Sequence, residues 1–257
     1  MNKVLSLVTI NYNNEAGLKR TLNSVCKQKI DFDFEHIIID GASTDRSTDV
    51  ITKYSNSAVN VIAVSEEDSG IYEAMNKGLR MASGSHVAFL NSGDVLNYNE
   101  VLKNITNAIL YDKPVDFIYS DICFVDDHGN VSREWCVGTY WKPKLYYGWM
   151  APHPMTTIRR SVLNEVGAFD QRLKIAADYN LMLKILMRPN ISVRYLAETF
   201  VCMERGGISN GSIVGIIKSN YEVLKSWFEI KGIFAPYWIF FTKPLSKIFQ
   251  LKKIYSK

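Results

Sequence analysis

Short apolar runs rich in β-branched residues alternate with helical patterns across the first 95 residues of the chain. The apolar runs cover residues 4–10, 36–39, 59–64 and 86–90. The stretches between them carry apolar side chains at helical spacing, as at Leu18, Leu22 and Val25. Strands joined by helices form right-handed βαβ units. This half is therefore predicted to be an α/β fold with a mostly parallel sheet flanked by helices.

Candidate caps indicate where the first two helices begin. Asn13 or Asn14 precedes the first helical pattern, and Ser43 or Thr44 precedes the second. The side-chain oxygens of these residue types accept hydrogen bonds from the free N–H groups of a first turn. A third helix is predicted over residues 71–79.

Polar side chains collect where the predicted strands end. They are Thr9 and Asn11, Asp40, residues 66–68, and residues 91–94. In open α/β sheets the ligand binds beyond the carboxyl ends of the strands. One polar strand end carries little weight, because loops are polar in general. Four of them at one edge predict a pocket.

The second half of the chain is less regular than the first. Its predicted elements are a strand at 116–120, a turn at 126–130, helices near Ser161 and after Asp178, two strands up to Met203, and an amphipathic helix over 212–232. Residues 233–257 form a predicted helical tail that mixes aromatic residues with lysines.

Charge and composition exclude several classes of protein. The formal net charge of +4 is too weak and too diffuse to indicate a nucleic-acid-binding protein. The four cysteines have neither metal-binding nor disulfide-framework spacing, which favours reduced thiols. The first residues lack a signal-peptide pattern, and no segment reaches the ~20 apolar residues of a membrane span. A cytoplasmic location is expected.

Three motifs resemble those of a known family. They are residues 7–13 (LVTINYN), 40–45 (DGASTD) and 65–78 (SEEDSGIYEAMNKG). Together they resemble family 2 glycosyltransferases of the GT-A fold, above all the bacterial branch that builds surface polysaccharides of the O-antigen and colanic-acid kind. The resemblance covers residues 4–210. It implies a Rossmann-like GT-A domain that transfers a sugar, with inversion, from a nucleotide-sugar donor, preferably a UDP-sugar.

The resemblance implies a donor site within the first 95 residues. Its members would be Thr9, Asn11, Tyr12, Asp40, Ser43, Asp68, Asn76, Lys77 and Asn91. Asp40 is implied to read the pyrimidine base, with Gly41 admitting the ring, although helix capping is the alternative for this cluster. Met75 stands where the family often has a phosphate-contacting Arg. Lys77 is then either a substitute for that Arg or an exposed helix lysine.

Residues 91–94 (NSGD) occupy the position of the family's Asp-rich metal motif and keep one carboxylate, Asp94. The resemblance implies that Asp94 binds Mn²⁺ or Mg²⁺, since hard cations take oxygen ligands and the donor diphosphate can supply several of them. The alternative is a turn that ends a strand, for which Asn, Ser, Gly and Asp are well suited.

A second signature, residues 167–170 (GAFD) and 175–181 (IAADYNL), resembles the family's acceptor side. It implies that Asp178 is the general base for the acceptor hydroxyl; an N-cap role is the alternative, and the two are compatible. His153 would contact the phosphates, the metal or the acceptor, or else brace its loop. Gly206 and Gly207 resemble a glycine-rich loop on the acceptor side, with an ordinary turn as the alternative.

These assignments divide the chain into a glycosyltransferase domain over 1–211, with a donor half (1–95) and an acceptor half (96–211), and an extension over 212–257. The implied partners are a nucleotide sugar and a glycan or lipid-linked acceptor. Residues 233–257 suit an anionic membrane surface, which would place the enzyme at the inner face of the cytoplasmic membrane. Packing on the domain and a homodimer contact are the alternatives.

Two other functions remain open from the sequence. A sugar-phosphate nucleotidyltransferase can use a similar sheet but normally has a glycine-rich basic loop after the first strand, where this chain has residues 11–14 (NYNN). A donor-binding partner without catalytic activity is the other alternative, because Met75, Asn91 and Gly93 depart from the family pattern.

Overall fold

The computed structural model describes residues 3–58, 60–110, 113–126, 128–204 and 213–239 of the chain. Within these ranges the chain forms one nine-stranded sheet flanked by helices. The predicted α/β fold is therefore confirmed.

The first half forms the regular part of the sheet. Its strands are β1 (Leu5–Asn11), β2 (Phe34–Asp40), β3 (Val61–Ser65) and β4 (His86–Phe89), and its helices are α1 (Glu15–Cys26), α2 (Ser47–Ser57) and α3 (Ile71–Met81). The strands are parallel, in the order β3-β2-β1-β4. Every residue of β1 is buried, as expected for a strand covered on both faces. Asn11 pairs with Asp40, and Asp40 with Ser65, so three strands end together at one edge.

The second half extends the same sheet with mixed pairing. Its elements are β5 (Val95–Leu96), α4 (Val101–Leu110), β6 (Phe117–Val125), β7 (Val131–Trp135), β8 (Thr157–Arg159), α5 (Arg160–Val166), α6 (Ala177–Leu186), β9 (Val193–Glu204) and α7 (Ile213–Lys231). The order continues β4-β8-β6-β9-β5, and β7 pairs with β6. Because β8 is antiparallel to both β4 and β6, it joins the strands of the two halves.

The second half differs from its prediction in four elements, of which β5 has only two residues and was not predicted. The two strands predicted up to Met203 are one strand, β9, whose pairing with β6 shifts between Leu196 and Thr199. This irregularity breaks the alternation of side chains and so resembles a strand end in the sequence. Strand β8 has only three residues and gives no clear pattern. Helix α4 was not predicted, although its apolar residues have helical spacing.

The predicted helix caps are correct for α1 and wrong for α2. Asn14 caps α1, since its Oδ1 accepts the N–H of Gly17 at 3.1 Å. Helix α2 begins later than expected, at Ser47, whose N–H is bound by Asp45 Oδ1 at 2.9 Å. Neither Ser43 nor Thr44 caps it. The Ser43 hydroxyl is held by the carboxylate at the end of β2 instead.

Helix α7 packs against α6. Trp227 is fully buried there, and its indole N–H donates to the Tyr179 hydroxyl at 2.9 Å. In the described ranges, no helix combines the length and the apolar content that crossing a bilayer requires. The predicted membrane contact over 233–257 extends beyond residue 239, the last described residue, and stays a prediction, as does the homodimer.

Candidate active site

The ends of β1, β2 and β3 are tied together by Asp40. Its Oδ1 accepts hydrogen bonds from Asn11 Nδ2 at 2.7 Å and from Ser43 Oγ at 2.6 Å. Its Oδ2 accepts from the Ser43 N–H at 2.9 Å and from Ser65 Oγ at 2.6 Å. Burial works to raise the pKa of Asp40, but the hydrogen bonds from Ser43, Ser65 and Asn11 outweigh it and hold the pKa below its usual value. The carboxylate is thus ionised and fully buried.

This network changes the interpretation of Asp40 and Ser43. Both carboxylate oxygens of Asp40 are used within the chain, so a contact with a base would require breaking one of these bonds. Ser43 is engaged as well, because its Oγ also accepts the N–H of Asn13 at 2.8 Å. Asp40 and Ser43 therefore organise the floor of the site together with Asn11, whose Oδ1 is buried without a hydrogen-bond partner.

Thr9 lies below this floor. It is fully buried, and its hydroxyl is 2.9 Å from His36 Nε2, while His36 Nδ1 is 2.7 Å from the Tyr54 hydroxyl. Burial lowers the pKa of His36 to about 3, so the ring is neutral at pH 7. The predicted contact of Thr9 with the nucleoside is not compatible with this position, because the side chain faces the core.

Asp68 and Tyr12 lie close to the backbone of Gly41. A Cβ atom at this position would lie 2.7 Å from Asp68 Oδ2 and 3.2 Å from Tyr12 Cδ2, so the absence of a side chain allows this close approach. The Tyr12 ring is 66% exposed. Asp68 Oδ1 accepts the Gly70 N–H at 2.9 Å, which fixes the carboxylate with Oδ2 towards Gly41. An exposed ring, a glycine and a carboxylate thus lie together at the carboxyl edge of the sheet, and we call these three residues the Gly41 cluster.

Asn76 and Lys77 lie on α3 but are engaged by the protein. The Asn76 amide donates to the Phe169 carbonyl and accepts the Phe169 N–H, each at 2.9 Å. Lys77 Nζ donates to the Glu67 carbonyl at 2.6 Å and lies 3.0 Å from a Glu66 carboxylate oxygen. Asn76 therefore joins the two halves of the chain, and Lys77 fixes the loop that carries Asp68. Neither group is directed at a phosphate site in this arrangement.

Residues 91–94 form a turn that α1 holds in place. Thr21 Oγ1 donates to the Asp94 carbonyl at 2.8 Å and accepts the Gly93 N–H at 3.0 Å. Asp94 is buried, and burial raises the pKa of its carboxyl to about 7. Its Oδ2 and the Oδ1 of Asn91 are buried without hydrogen-bond partners.

Those two unpartnered oxygens are candidate ligands for a cation. Carboxylate and amide oxygens are the ligands that hard divalent cations prefer, and a bound cation would compensate the burial of the Asp94 charge. Within the described residues, no three His, Cys, Asp or Glu side chains form a complete metal site. The turn therefore fits a metal that a bound diphosphate would help to coordinate.

The acceptor side is formed where α3 and α6 meet. Asp178 is the second residue of α6 and is partly buried, and the Tyr72 hydroxyl donates to its Oδ1 at 3.4 Å. The Tyr72 ring stacks on Phe169 with centroids 5.9 Å apart. The His153 ring packs on the same Phe169, with ring centroids 5.9 Å apart. Burial lowers the pKa of His153, although the charge of Asp178 works in the opposite direction.

Asp178 and His153 thus lie near the same Phe169, and Tyr72 contacts both Phe169 and Asp178. The acceptor-side roles of Asp178 and His153 stay predictions. The motif at residues 65–78 already contained Tyr72, but its spacing could not reveal a partner on α6. Gly206 and Gly207 fall outside the described residues, so their predicted role stays a prediction.

Comparison with known proteins gives one family and several relatives. The model of the family Glycosyl transferase family 2 matches residues 6–167. A Mycobacterium tuberculosis protein named PGL/p-HBAD biosynthesis glycosyltransferase is 26% identical over 209 residues, which are 80% of this chain and 79% of the relative.

Solved structures share the GT-A fold. S. aureus TarS 1–349 in complex with UDP-GlcNAc superposes with a TM-score of 0.67 at 22% identity, covering 88% of this chain and 66% of TarS 1–349. Glucosyl-3-phosphoglycerate synthase from Mycobacterium tuberculosis, in complex with Mn²⁺, UDP and glucosyl-3-phosphoglycerate, superposes with a TM-score of 0.64 at 16% identity. The match covers 90% of this chain and 81% of the synthase. A structure of a longer S. aureus TarS chain also matches, and this chain covers 40% of the length of that TarS chain.

Proposed function

Because this chain belongs to glycosyl transferase family 2, we propose that it transfers a sugar from a UDP-sugar to a hydroxyl of a glycan or lipid-linked acceptor. The chain is a glycosyltransferase; the nucleotide, the inversion of the anomeric carbon, the metal and the acceptor are the proposed parts. The observation that carries the proposal is the Gly41 cluster, in which Tyr12, Gly41 and Asp68 meet at the carboxyl edge of the sheet. The UDP-GlcNAc complex of S. aureus TarS supports UDP as the nucleotide.

The Gly41 cluster would bind the nucleobase. Its exposed Tyr12 ring offers a stacking surface for a planar base. Asp68 Oδ2, which faces Gly41, is a carboxylate oxygen and accepts hydrogen bonds. An acceptor of this kind suits uracil, whose ring N3–H is a donor, and disfavours cytosine, whose N3 is itself an acceptor. Asp68 then takes over the base-reading role that the motif alone assigns to Asp40.

The turn at residues 91–94 would hold the metal. Asp94 Oδ2 and Asn91 Oδ1 are the oxygens of this chain that fit such a role. A divalent cation there would neutralise negative charge that develops on the departing nucleoside diphosphate. The complex of the M. tuberculosis synthase with Mn²⁺ and UDP supports a metal in this reaction.

Asp178 would act on the acceptor. In the proposed reaction the acceptor oxygen forms a bond to the anomeric carbon as the bond from that carbon to the diphosphate oxygen breaks. The acceptor proton passes to the Asp178 carboxylate, since a hydroxyl is a weak nucleophile unless its proton is removed as the new bond forms. Tyr72, which donates to Asp178 Oδ1, would orient the carboxylate for this step.

Release of nucleoside diphosphate from a panel of nucleotide sugars tests the proposal. We expect UDP to be released from at least one UDP-sugar when Mn²⁺ or Mg²⁺ is present, and the rate to fall to background with EDTA. Pyrophosphate release from UTP and a sugar phosphate would instead identify a nucleotidyltransferase. Binding of UDP-sugars without any release, at all metal conditions and with added glycan acceptors, would identify a catalytically inactive donor-binding protein.

A further inference from the structure

A buried carboxylate on α7 binds the segment that leads into α6. Glu222 is 5% exposed, and its Oε1 accepts the N–H of Lys174 at 3.0 Å. Its Oε2 accepts the N–H groups of Ile175 and Ala176, each at 2.9 Å. Three consecutive backbone donors therefore converge on one side chain that lies 46 to 48 residues later in the chain.

This arrangement anchors the backbone at the entry to α6. Ala176 is the N-cap residue of α6 and has no side chain that could accept a hydrogen bond. Glu222 binds the N–H of Ala176 and of the two residues before it. It also places a negative charge near the helix start, which the helix dipole favours. The entry to α6 is thus held by α7.

Asp178, the second residue of α6, lies at this end of the helix. Its two following neighbours are also held by α7, because Trp227 donates to the Tyr179 hydroxyl at 2.9 Å and Asn180 Nδ2 donates to Glu229 at 3.2 Å. On the opposite side, Asp178 accepts the hydrogen bond from Tyr72 on α3. The carboxylate of Asp178 therefore lies at the start of a helix that is held by α7 on one side and by Tyr72 on the other.

We propose that Glu222 is a positioning residue for sugar transfer, which acts by fixing the first turn of α6 so that the Asp178 carboxylate meets the acceptor hydroxyl. The inference rests on the proposed role of Asp178. It assigns a task in the reaction to α7, a helix that lies outside the family match at residues 6–167. It also predicts that damage to Glu222 affects the chemical step and spares donor binding, because the Gly41 cluster makes no use of α7.

The first test is Glu222→Gln. A Gln side chain has one acceptor oxygen and turns an NH₂ group towards at least one of the three backbone donors. We expect kcat for transfer to fall about 10- to 100-fold, because a displacement near 1 Å at a reacting group has effects of this size. The Kd for UDP should stay within about twofold of the wild-type value, as for any change that spares the ground-state donor contacts.

Two further variants separate positioning from general damage to α7. Ser226→Ala removes a buried hydroxyl of the same helix whose one recorded partner among the described residues is the Glu222 carbonyl, so it should leave kcat unchanged. Glu222→Asp keeps the charge but withdraws the carboxylate by about one C–C bond, ~1.5 Å. It should fold even if the Gln variant does not, and it should still lose kcat without losing UDP binding.

A double-mutant cycle decides the mechanism. If Glu222 acts through Asp178, then Glu222→Gln adds no further loss of residual rate in an Asp178→Asn background. An equal fractional loss in both backgrounds, or wild-type kcat in both Glu222 variants, would overturn the proposal. A wild-type protein that binds UDP but forms no product refutes the proposed function instead. Hydrogen exchange at residues 174–176 then still decides whether Glu222 holds the turn, since faster exchange in the variant supports it and unchanged exchange contradicts it.

Discussion

Asp178→Asn is expected to lower kcat for sugar transfer by about 10²- to 10⁴-fold, the range that general acid–base catalysis contributes. The Asn side chain has nearly the same shape, and it can still accept the hydrogen bond from Tyr72. It cannot take up the acceptor proton. Donor binding should therefore be preserved, and the loss should appear in single-turnover rates at saturating UDP-sugar.

The matched control for this variant is Asp170→Asn. Asp170 lies in the segment between α5 and α6, where the guanidinium of Arg172 holds the pKa of its carboxyl at about 2. It has no contact with Tyr72 or His153 among the described residues. Its variant should keep kcat within a few-fold of wild type, as is usual for partly exposed ion pairs. Full transfer activity in Asp178→Asn would show that another group accepts the proton.

Asp94→Asn is expected to stabilise the metal-free protein and to abolish metal-dependent turnover. Burial raises the pKa of Asp94 to about 7, well above its ordinary value of 3.8. The ionised carboxylate therefore opposes folding increasingly as the pH rises from 4 to 7. A neutral amide avoids a cost on the order of a few kcal/mol, so Tm in EDTA should rise by several degrees at pH 8. At pH 4, where wild-type Asp94 is protonated in the folded protein, the gain should vanish.

Asp94→Asn should lose metal-dependent activity although it gains stability. Loss of the one carboxylate of the turn removes the charge that attracts the cation, so addition of Mn²⁺ should no longer accelerate UDP release. Glu204→Gln is the control, because Glu204 adds negative charge near Asp94 but is exposed and paired with Arg20. That variant should remain metal-dependent. If Asp94→Asn keeps metal-dependent turnover, the metal is bound elsewhere.

The fold of the first half could be predicted from the sequence because each of its strands and helices leaves a pattern in a short stretch of residues. Each strand of the first half is a short β-branched run, and each helix has apolar residues at helical spacing, so the βαβ order could be predicted. The register that brings Asn11, Asp40 and Ser65 to one edge follows from parallel pairing. Elements of two or three residues, β5 and β8, are too short to produce a pattern.

The roles of individual site residues were less accessible, because they depend on partners that are distant in sequence. Asp40 looks like a free carboxylate in its motif, and only the fold brings Ser65, 25 residues away, onto its Oδ2. Asn76 looks like a donor contact, but it is engaged by Phe169, 93 residues away. Asp68 gains its importance from the opposite effect, since the fold places its Oδ2 above Gly41. No spacing rule within one motif could have given these contacts.

The central claim, that the Gly41 cluster binds the base of a uridine nucleotide, is tested most directly by calorimetric titration of UDP into wild-type protein and Gly41→Val. The Val side chain would displace Asp68 and crowd Tyr12, and because the atom it meets first is the end of the flexible Asp68 side chain, the variant should fold. We predict that UDP binds the wild-type protein with Mn²⁺ present, more tightly than CDP. Gly41→Val should weaken UDP binding at least about 100-fold, because it moves both groups that would contact the base. Equal UDP affinity in the two proteins would contradict this assignment of the donor site.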